Sequence, residues 1–423
     1  MGFGSLFNWA LICAASGGLP PLAHAGAQIP EAALDVERYV EIVLRHHPAA
    51  AQVAAVEAAA AAERARVRLF PDPRLELQAG RARELGAAGS DTETGIGIAQ
   101  TIPWPAAFSA GRRAGMRSAE ALLVSADALR WDLAIQARSA FARLLGARRL
   151  AEIARGAEAD ARSLHDLVTR RAELGETRES ERIRTQVEWL RQRRRLQAAE
   201  REAAAAEAIL RALAGEPLPE PLALLGELPR PKAPLDLAAL RERLTDLNPT
   251  LRQAQAEEQR RRALLALAEA QRWPDLELGL ARENELDKHA TSFSVGVRLP
   301  LWNAGRGEIA AAQAAADTAA AALQRARLDL DIDLEARLKE LESAAGQVEI
   351  LEGEIVPAAA ASTELARFSY EEGETSLLDL LDAQRTLRDA QIEAVDSRLA
   401  LAGALAEIQR LVGPDFDPWR MNP

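Results

Sequence analysis

One plan is written twice along this chain, and nothing else in the sequence constrains the fold as much. Pro48, Pro71-Asp72, Pro103, Gly175 and Gly215 recur as Pro249, Pro274-Asp275, Pro300, Gly373 and Gly413, at offsets of 201, 203, 197, 198 and 198 residues. The words around these anchors match as well. Phe70-Pro-Asp-Pro-Arg-Leu-Glu-Leu answers Trp273-Pro-Asp-Leu-Glu-Leu, Gly175-Glu-Thr answers Gly373-Glu-Thr, and Leu210-Arg-Ala-Leu-Ala-Gly answers Ile408-Gln-Arg-Leu-Val-Gly. A repeat of this length has to be read before any single element, because missing it mis-assigns the whole fold. Each half reads as helix, a short pair of strands, a very long helix, a glycine turn and a returning helix.

The expected organisation follows. Residues 1–25 carry no Asp, Glu, Lys or Arg, hold an apolar run from Leu6 to Ala15 and end in Ala23-His-Ala25, which reads as a secretory signal peptide. Residues 26–216 form the first repeat, 217–234 a proline-rich linker, 235–415 the second repeat and 416–423 a short tail. The one cysteine, Cys13, falls inside the leader behind Ile12, where a lipidation signal needs a small residue, so it is not read as an anchor. The mature chain then has neither a disulfide nor a thiolate metal site. The net charge of −11 argues against a nucleic-acid partner, which leaves a basic footprint.

Period-two alternation marks four strands. Two are expected at about 74–83 and 94–103, with 84–93 as loop, and two at about 275–284 and 292–300. In each, one face is aliphatic (Leu75, Leu77; Ile96, Ile98; Leu276, Leu278, Leu280; Phe293, Val295, Val297) and the other is small or polar. In a soluble protein such a face covers a core. Here each strand has about the length that crosses a tilted bilayer. Phe70, Trp104, Trp273 and Trp302 sit at the strand ends, like the aromatic girdle of a membrane barrel.

After each strand pair comes a stretch that reads as one uninterrupted helix, from about Ser109 to Glu173 and from about Gly305 to Glu371. Each would be roughly 100 Å long at 1.5 Å per residue. Leu334, Leu338, Leu341, Ala345 and Val348 follow steps of four and three, the spacing of a coiled-coil seam. Gly175 and Gly373 then turn the chain into returning helices of about 37 residues. Four strands cannot close a barrel, and lipid does not tolerate open sheet edges. The fold class expected is therefore mainly α with a small β part. Three copies would make a 12-stranded transmembrane β-barrel, continued by a long antiparallel coiled-coil α-barrel.

At this point the motifs match a family. The chain resembles the TolC-like outer-membrane efflux ducts, and within them the heavy-metal subgroup typified by CzcC and CusC. The resemblance spans about residues 30–415. It rests on the duplicated Pro-Asp-Leu-Glu-Leu lead into each strand pair, on Val297-Arg-Leu-Pro-Leu-Trp-Asn-Ala-Gly305, and on Tyr370-Glu-Glu-Gly-Glu-Thr-Ser-Leu-Leu-Asp-Leu-Leu-Asp-Ala-Gln384. It implies a homotrimer in the outer membrane of a Gram-negative bacterium. Its helical barrel would reach through the periplasm to an adaptor and an inner-membrane pump of the RND type. It also implies a passive, gated conduit, with metal cations as cargo for the subgroup.

The resemblance further assigns roles. Asp379 and Asp382, after the second glycine turn, match the carboxylate ring that pinches the pore and selects cations. Spacing of three places both on one helix face. The bland alternative for Asp382 is an ion pair with Arg385. Tyr370 and Thr375 match one side of the closed-state latch and Ser180 and Glu181 the other, so a Tyr370–Glu181 hydrogen bond is expected. Relatives often carry arginine at the Thr375 position, which weakens that second latch.

The histidines do not make a metal site. His46 and His47 are adjacent, and neighbours on a helix do not face one point, while His165 and His289 stand alone. No cofactor is expected. The chain has no G-x-S-x-G, P-loop, H-E-x-x-H or mature cysteine nucleophile, so an enzyme is not the reading. The remaining rival is a soluble periplasmic coiled-coil adaptor. It would share the hairpins and the leader, but it has no use for bilayer-length strands with aromatic rims.

Overall fold

The computed structural model describes residues 33–67, 70–82, 91–230, 235–285, 288–297 and 305–413. The expected leader, Trp302 and the C-terminal tail lie outside them. Helices α1 (Val36–His46) and α2 (Pro48–Arg66) lead into strands β1 (Arg74–Ala82) and β2 (Asp91–Ile102). Helix α3 (Pro105–Glu173) and helix α4 (Glu179–Ala214) complete the first half. The order then recurs: α5 (Leu237–Leu247), α6 (Pro249–Ala270), β3 (Leu276–Glu285), β4 (Lys288–Val297), α7 (Arg306–Ile350), α8 (Val356–Glu371) and α9 (Leu377–Val412).

Local chemistry explains the boundaries. Pro48 and Pro249 each open the second helix of their half, where the missing N–H costs nothing. Asn248 does two jobs. Its Oδ1 accepts from Leu251 N at 2.7 Å to cap α6, and its Nδ2 donates to Leu411 O at 2.7 Å. At both far turns a glycine takes positive φ, +77° at Gly175 and +79° at Gly373. Gly175 N donates to Ala172 O and Glu176 N to Arg171 O. Gly373 N donates to Tyr370 O and Glu374 N to Ser369 O. The same Schellman ending thus closes both long arms.

The second long arm departs from the expectation of one unbroken helix. Between α7 and α8 runs a π-helical turn, Leu351–Ile355, and Pro357 follows it. Proline has no N–H to give the carbonyl four residues back, and its ring crowds that carbonyl. One widened turn just ahead relieves the crowding without ending the helix. The strands also differ from expectation at the far end of each hairpin. β2 begins at Asp91, not 94, and β4 at Lys288, not 292. Those first residues have no apolar alternation, and backbone pairing alone extends the ladder. Residues 298–300, expected in β4, lie outside the described residues.

All four strands form one antiparallel sheet in sequence order. Its middle seam, β2 against β3, joins the two halves. The helices form two layers that share α3. Nearer the sheet the order is α2, α3, α6, α7, and toward the glycine turns it is α4, α3, α9, α8. Two apolar cores sit between these levels. One gathers Tyr39, Val43, Leu133, Phe141, Leu144 and Leu210, with the Tyr39 hydroxyl donating to Leu210 O at 2.9 Å. The other gathers Leu240, Leu251, Leu334, Leu338, Leu341, Val348, Leu405 and Ile408, so the heptad-spaced leucines are core. The proline-rich linker is not a loose tether. Leu218, Leu222 and Leu228 are buried, and Leu34 pairs with Ala223 and Leu225 through the backbone.

Candidate functional site: an exposed apolar sheet and two hairpin tips

The register carries the aliphatic face across the whole sheet. Leu75 lies opposite Ile98, Ile98 opposite Leu280, and Leu280 opposite Phe293. Leu77 and Ile96 form a rung on one side, and Leu276, Ile102 and Val297 form one on the other. No helix packs on this face: Leu77 is 73% exposed and Phe293 69%. The opposite face carries Glu76, Gly97, Ala281 and Ser292 on one rung. A contiguous apolar band of this kind marks contact with a partner or with lipid. Among the described residues no helix is long and apolar enough to cross a membrane.

Aromatic side chains gather at the helix end of this band. Trp104 and Trp273 stack with centroids 6.0 Å apart, and Arg272 lies over the Trp273 ring at 6.0 Å. Phe70 stacks on Phe108 at 4.7 Å. Asp275 accepts a hydrogen bond from Trp104 N at 3.1 Å, which pins the first-half rim to the second-half rim.

The glycine turns lie at the other end of the molecule. Tyr370 is buried there among Leu164, Val168, Leu377 and Leu380. Its neighbour is Arg171, whose guanidinium lies 5.7 Å from the ring centroid and whose Nη2 donates to Glu371 O at 3.2 Å. The expected Tyr370–Glu181 hydrogen bond is not the contact made. Glu181 accepts from Thr177 Oγ1 at 2.5 Å. Burial pushes the Tyr370 hydroxyl above its ordinary value, with the Glu181 charge nearby adding to the shift and Arg171 opposing it. Glu181 therefore approaches Tyr370 while Arg171 holds it. Sequence reasoning missed Arg171, because a pair of arginines in the last turn of a helix reads as surface. Ser180 is exposed, and Thr375 Oγ1 is buried without a partner.

Asp379 and Asp382 stand exposed on the first turns of α9. Asp379 is also the far half of a capping box. It accepts from Ser376 N at 3.2 Å and Ser376 Oγ at 2.8 Å, while Ser376 Oγ accepts from Asp379 N at 3.3 Å. The Ser-x-x-Asp spacing was the signal for that cap. Asp382 does not pair with Arg385, which reaches Asp389 at 3.5 Å. The histidines have local partners. His165 Nδ1 lies 3.1 Å from Thr185 Oγ1 and its ring stacks on Trp189. His46 meets Glu216 at 3.3 Å, His47 caps α2, and His289 contacts Asn284. Among the described residues no group of three His, Cys, Asp or Glu could hold a metal ion.

Comparison with known proteins agrees with this geometry. The family model described as "Outer membrane efflux protein" matches residues 240–414. The cobalt-zinc-cadmium resistance protein CzcC of Cupriavidus metallidurans is 26% identical over 310 residues, which cover 72% of this chain and 73% of CzcC. Among solved structures, the open-state MtrE outer membrane channel of Neisseria gonorrhoeae superposes with a TM-score of 0.76 at 18% identity, covering 89% of each chain. CusC superposes at 0.70 and 18% identity, covering 89% of this chain and 92% of that one. Residues 240–414 match the outer membrane efflux protein family model, and the described chain has the fold of the solved outer-membrane channels.

Proposed function

We propose that this chain is one subunit of a closed ring, a homotrimer, that forms an efflux duct through the outer membrane. The observation that carries this reading is the exposed aliphatic ladder Leu75–Ile98–Leu280–Phe293, on a four-stranded sheet whose edges β1 and β4 have no partner strand among the described residues. Lipid can cover the ladder, but it cannot satisfy two open edges.

The helices support the same closure. Each layer has a first-half element at one edge and a second-half element at the other: α2 and α7, β1 and β4, α4 and α8. Joining unlike edges gives a head-to-tail interface, which closes into a ring when the rotation permits. The edge helices also carry apolar side chains toward water. Ile183, Val187 and Leu190 lie at i, i+4 and i+7 on α4, and Leu365 and Phe368 on α8. Three copies bring twelve strands, an even number that bacterial barrels use.

The duct works by passage and carries out no chemical step. A periplasmic adaptor and an inner-membrane pump deliver cargo to the helical end, and the barrel releases it outside. The Asp379 and Asp382 carboxylates of the three copies ring the mouth, where negative charge favours cations. Metal cations are the cargo proposed, on the strength of the likeness to CzcC. The testing experiment is single-channel conductance of the detergent-purified protein in a planar bilayer. The reading expects a small cation-preferring conductance blocked by multivalent cations. Release of the protein from membranes by carbonate, without detergent, would overturn it.

A further inference from the structure

Arg388 of α9 is a cation withdrawn from water with almost nothing to answer it. It is 8% exposed, and its Nε is enclosed without a hydrogen-bond partner. The closest carboxylate oxygen is Asp389 Oδ1 at 3.7 Å, beyond hydrogen-bond reach, and Asp389 also faces Arg385 at 3.5 Å. Glu188, across on α4, is taken by the Gln192 amide and by Arg191. Burial first, then the nearby Arg195, press this guanidinium toward losing its proton; Asp389 and Glu188 oppose that, and Arg385 adds to it. Arginine does not yield it in proteins, so the charge stays and its desolvation is only partly compensated.

The side chain lines a cavity of about 480 Å³ walled by α3, α4, α8 and α9. Gln384 lies four residues before Arg388 and Gln391 three after, on the same helix face, and both line the cavity. Neither carboxamide has a hydrogen-bond partner among the described residues. The α3 wall includes the small residues Gly156, Ala157 and Ala161 beside larger ones such as Ile153 and Leu164. Most carboxylates around the cavity are engaged: Glu152 by Arg149 at 2.8 Å and Glu371 by Arg367 at 3.3 Å. Asp160 and Glu364 also line the cavity; burial pushes the Asp160 carboxyl above its ordinary value, with Arg367 opposing and Glu364 adding to the shift.

We propose that this groove between the two hairpins binds a small carboxylate anion, held by the guanidinium of Arg388 and flanked by the amides of Gln384 and Gln391. A planar two-oxygen anion matches the guanidinium fork, and such a pair is strong where water is scarce. The site needs neither conduction nor a second copy, so it stands or falls separately from the duct reading.

Acetate is the probe. The detergent-purified protein is melted in rising sodium acetate at fixed ionic strength, with sodium chloride as the balancing salt. The expected result is a saturable rise in Tm. Arg388→Met should abolish the acetate response and melt higher than the parent in chloride alone, since the unpaired charge is gone. The double variant Gln384→Leu with Gln391→Leu should weaken acetate binding at least about tenfold, and it serves if Arg388→Met does not fold. A folded parent without a saturable response, or a response that survives in either variant unchanged, would overturn the proposal.

Discussion

Arg171 and Tyr370 tie the two hairpin tips together: the guanidinium stands over the ring at 5.7 Å and donates past it to the Glu371 carbonyl. One residue belongs to the end of α3 and the other to the end of α8. Separating the tips therefore breaks a cation–π contact and a charge-assisted hydrogen bond together. Arg171→Ala is expected to cost the tied state about 1–2 kcal/mol, a shift of roughly 5–30-fold in the balance between tied and parted tips. Single-channel open probability reads it directly. Tyr370→Phe keeps the ring and should act more weakly, and identical open probability in both variants and the parent would remove the tie from gating.

The two mouth carboxylates should separate by experiment. Asp379→Ala removes the far half of the Ser376 capping box and should lower stability by about 1 kcal/mol as well as weaken cation block. Asp382→Ala has no cap to lose and should weaken block with the melting point unchanged. Block by a trivalent cation and thermal melting, measured on both variants, test the pair. Equal stability loss in the two would mean that the cap contributes nothing.

Phe293 sits at the end of the Leu75–Ile98–Leu280–Phe293 rung. If lipid covers this rung, Phe293→Arg should destabilise the membrane-inserted fold by about 2–4 kcal/mol near the bilayer midplane. Ser292→Arg, on the other face of the same strand, should cost far less. Urea unfolding from lipid vesicles compares them, and equal costs would mean that the ladder does not face lipid.

Val187 on α4 and Phe368 on α8 are exposed in the single chain. A charge at either position should open the proposed joint between copies, so Val187→Asp and Phe368→Asp should each shift the detergent-solubilised protein toward smaller species. Light scattering after size exclusion reports the mass. Unchanged mass in both would place the joint elsewhere.

Gly215 has φ +72°, and a Cβ there would lie 2.4 Å from the His46 carbonyl oxygen. Gly215→Ala should cost at least about 2 kcal/mol, since left-handed strain and backbone overlap add. Gly346, inside α7, has open space around its Cβ position, and Gly346→Ala should stabilise by roughly 0.5–1 kcal/mol. Denaturant midpoints of the two variants should therefore move in opposite directions.

The recurring order of elements was legible because its signals are local. Pro48 and Pro249 open helices, Gly175 and Gly373 close them, and the Leu334–Leu338–Leu341 spacing marks a buried seam. The alternating strand faces were legible for the same reason. The first residues of β2 and β4 were not, because Asp91 and Lys288 belong to a ladder held by backbone bonds, which any side chain permits. The π-helical turn had a local signal, Pro357, which the expectation of an unbroken arm passed over. At the tips, only the capping role of Asp379 could be read from spacing. Arg171 and Arg388 could not, since what sets them apart is burial and company, supplied by helices about 200 residues away.

Because each layer carries a first-half element at one edge and a second-half element at the other, a chain can be spoiled on one side and sound on the other. In the proposed ring such a chain would still dock onto a normal neighbour through its sound edge and present the spoiled one to the next. A closed ring uses every edge once, so a single such subunit leaves one gap whatever its companions are. Co-produced with the normal chain, a variant damaged at one edge should therefore poison mixed assemblies out of proportion to its abundance. A chain damaged at both edges is simply left out and does less harm.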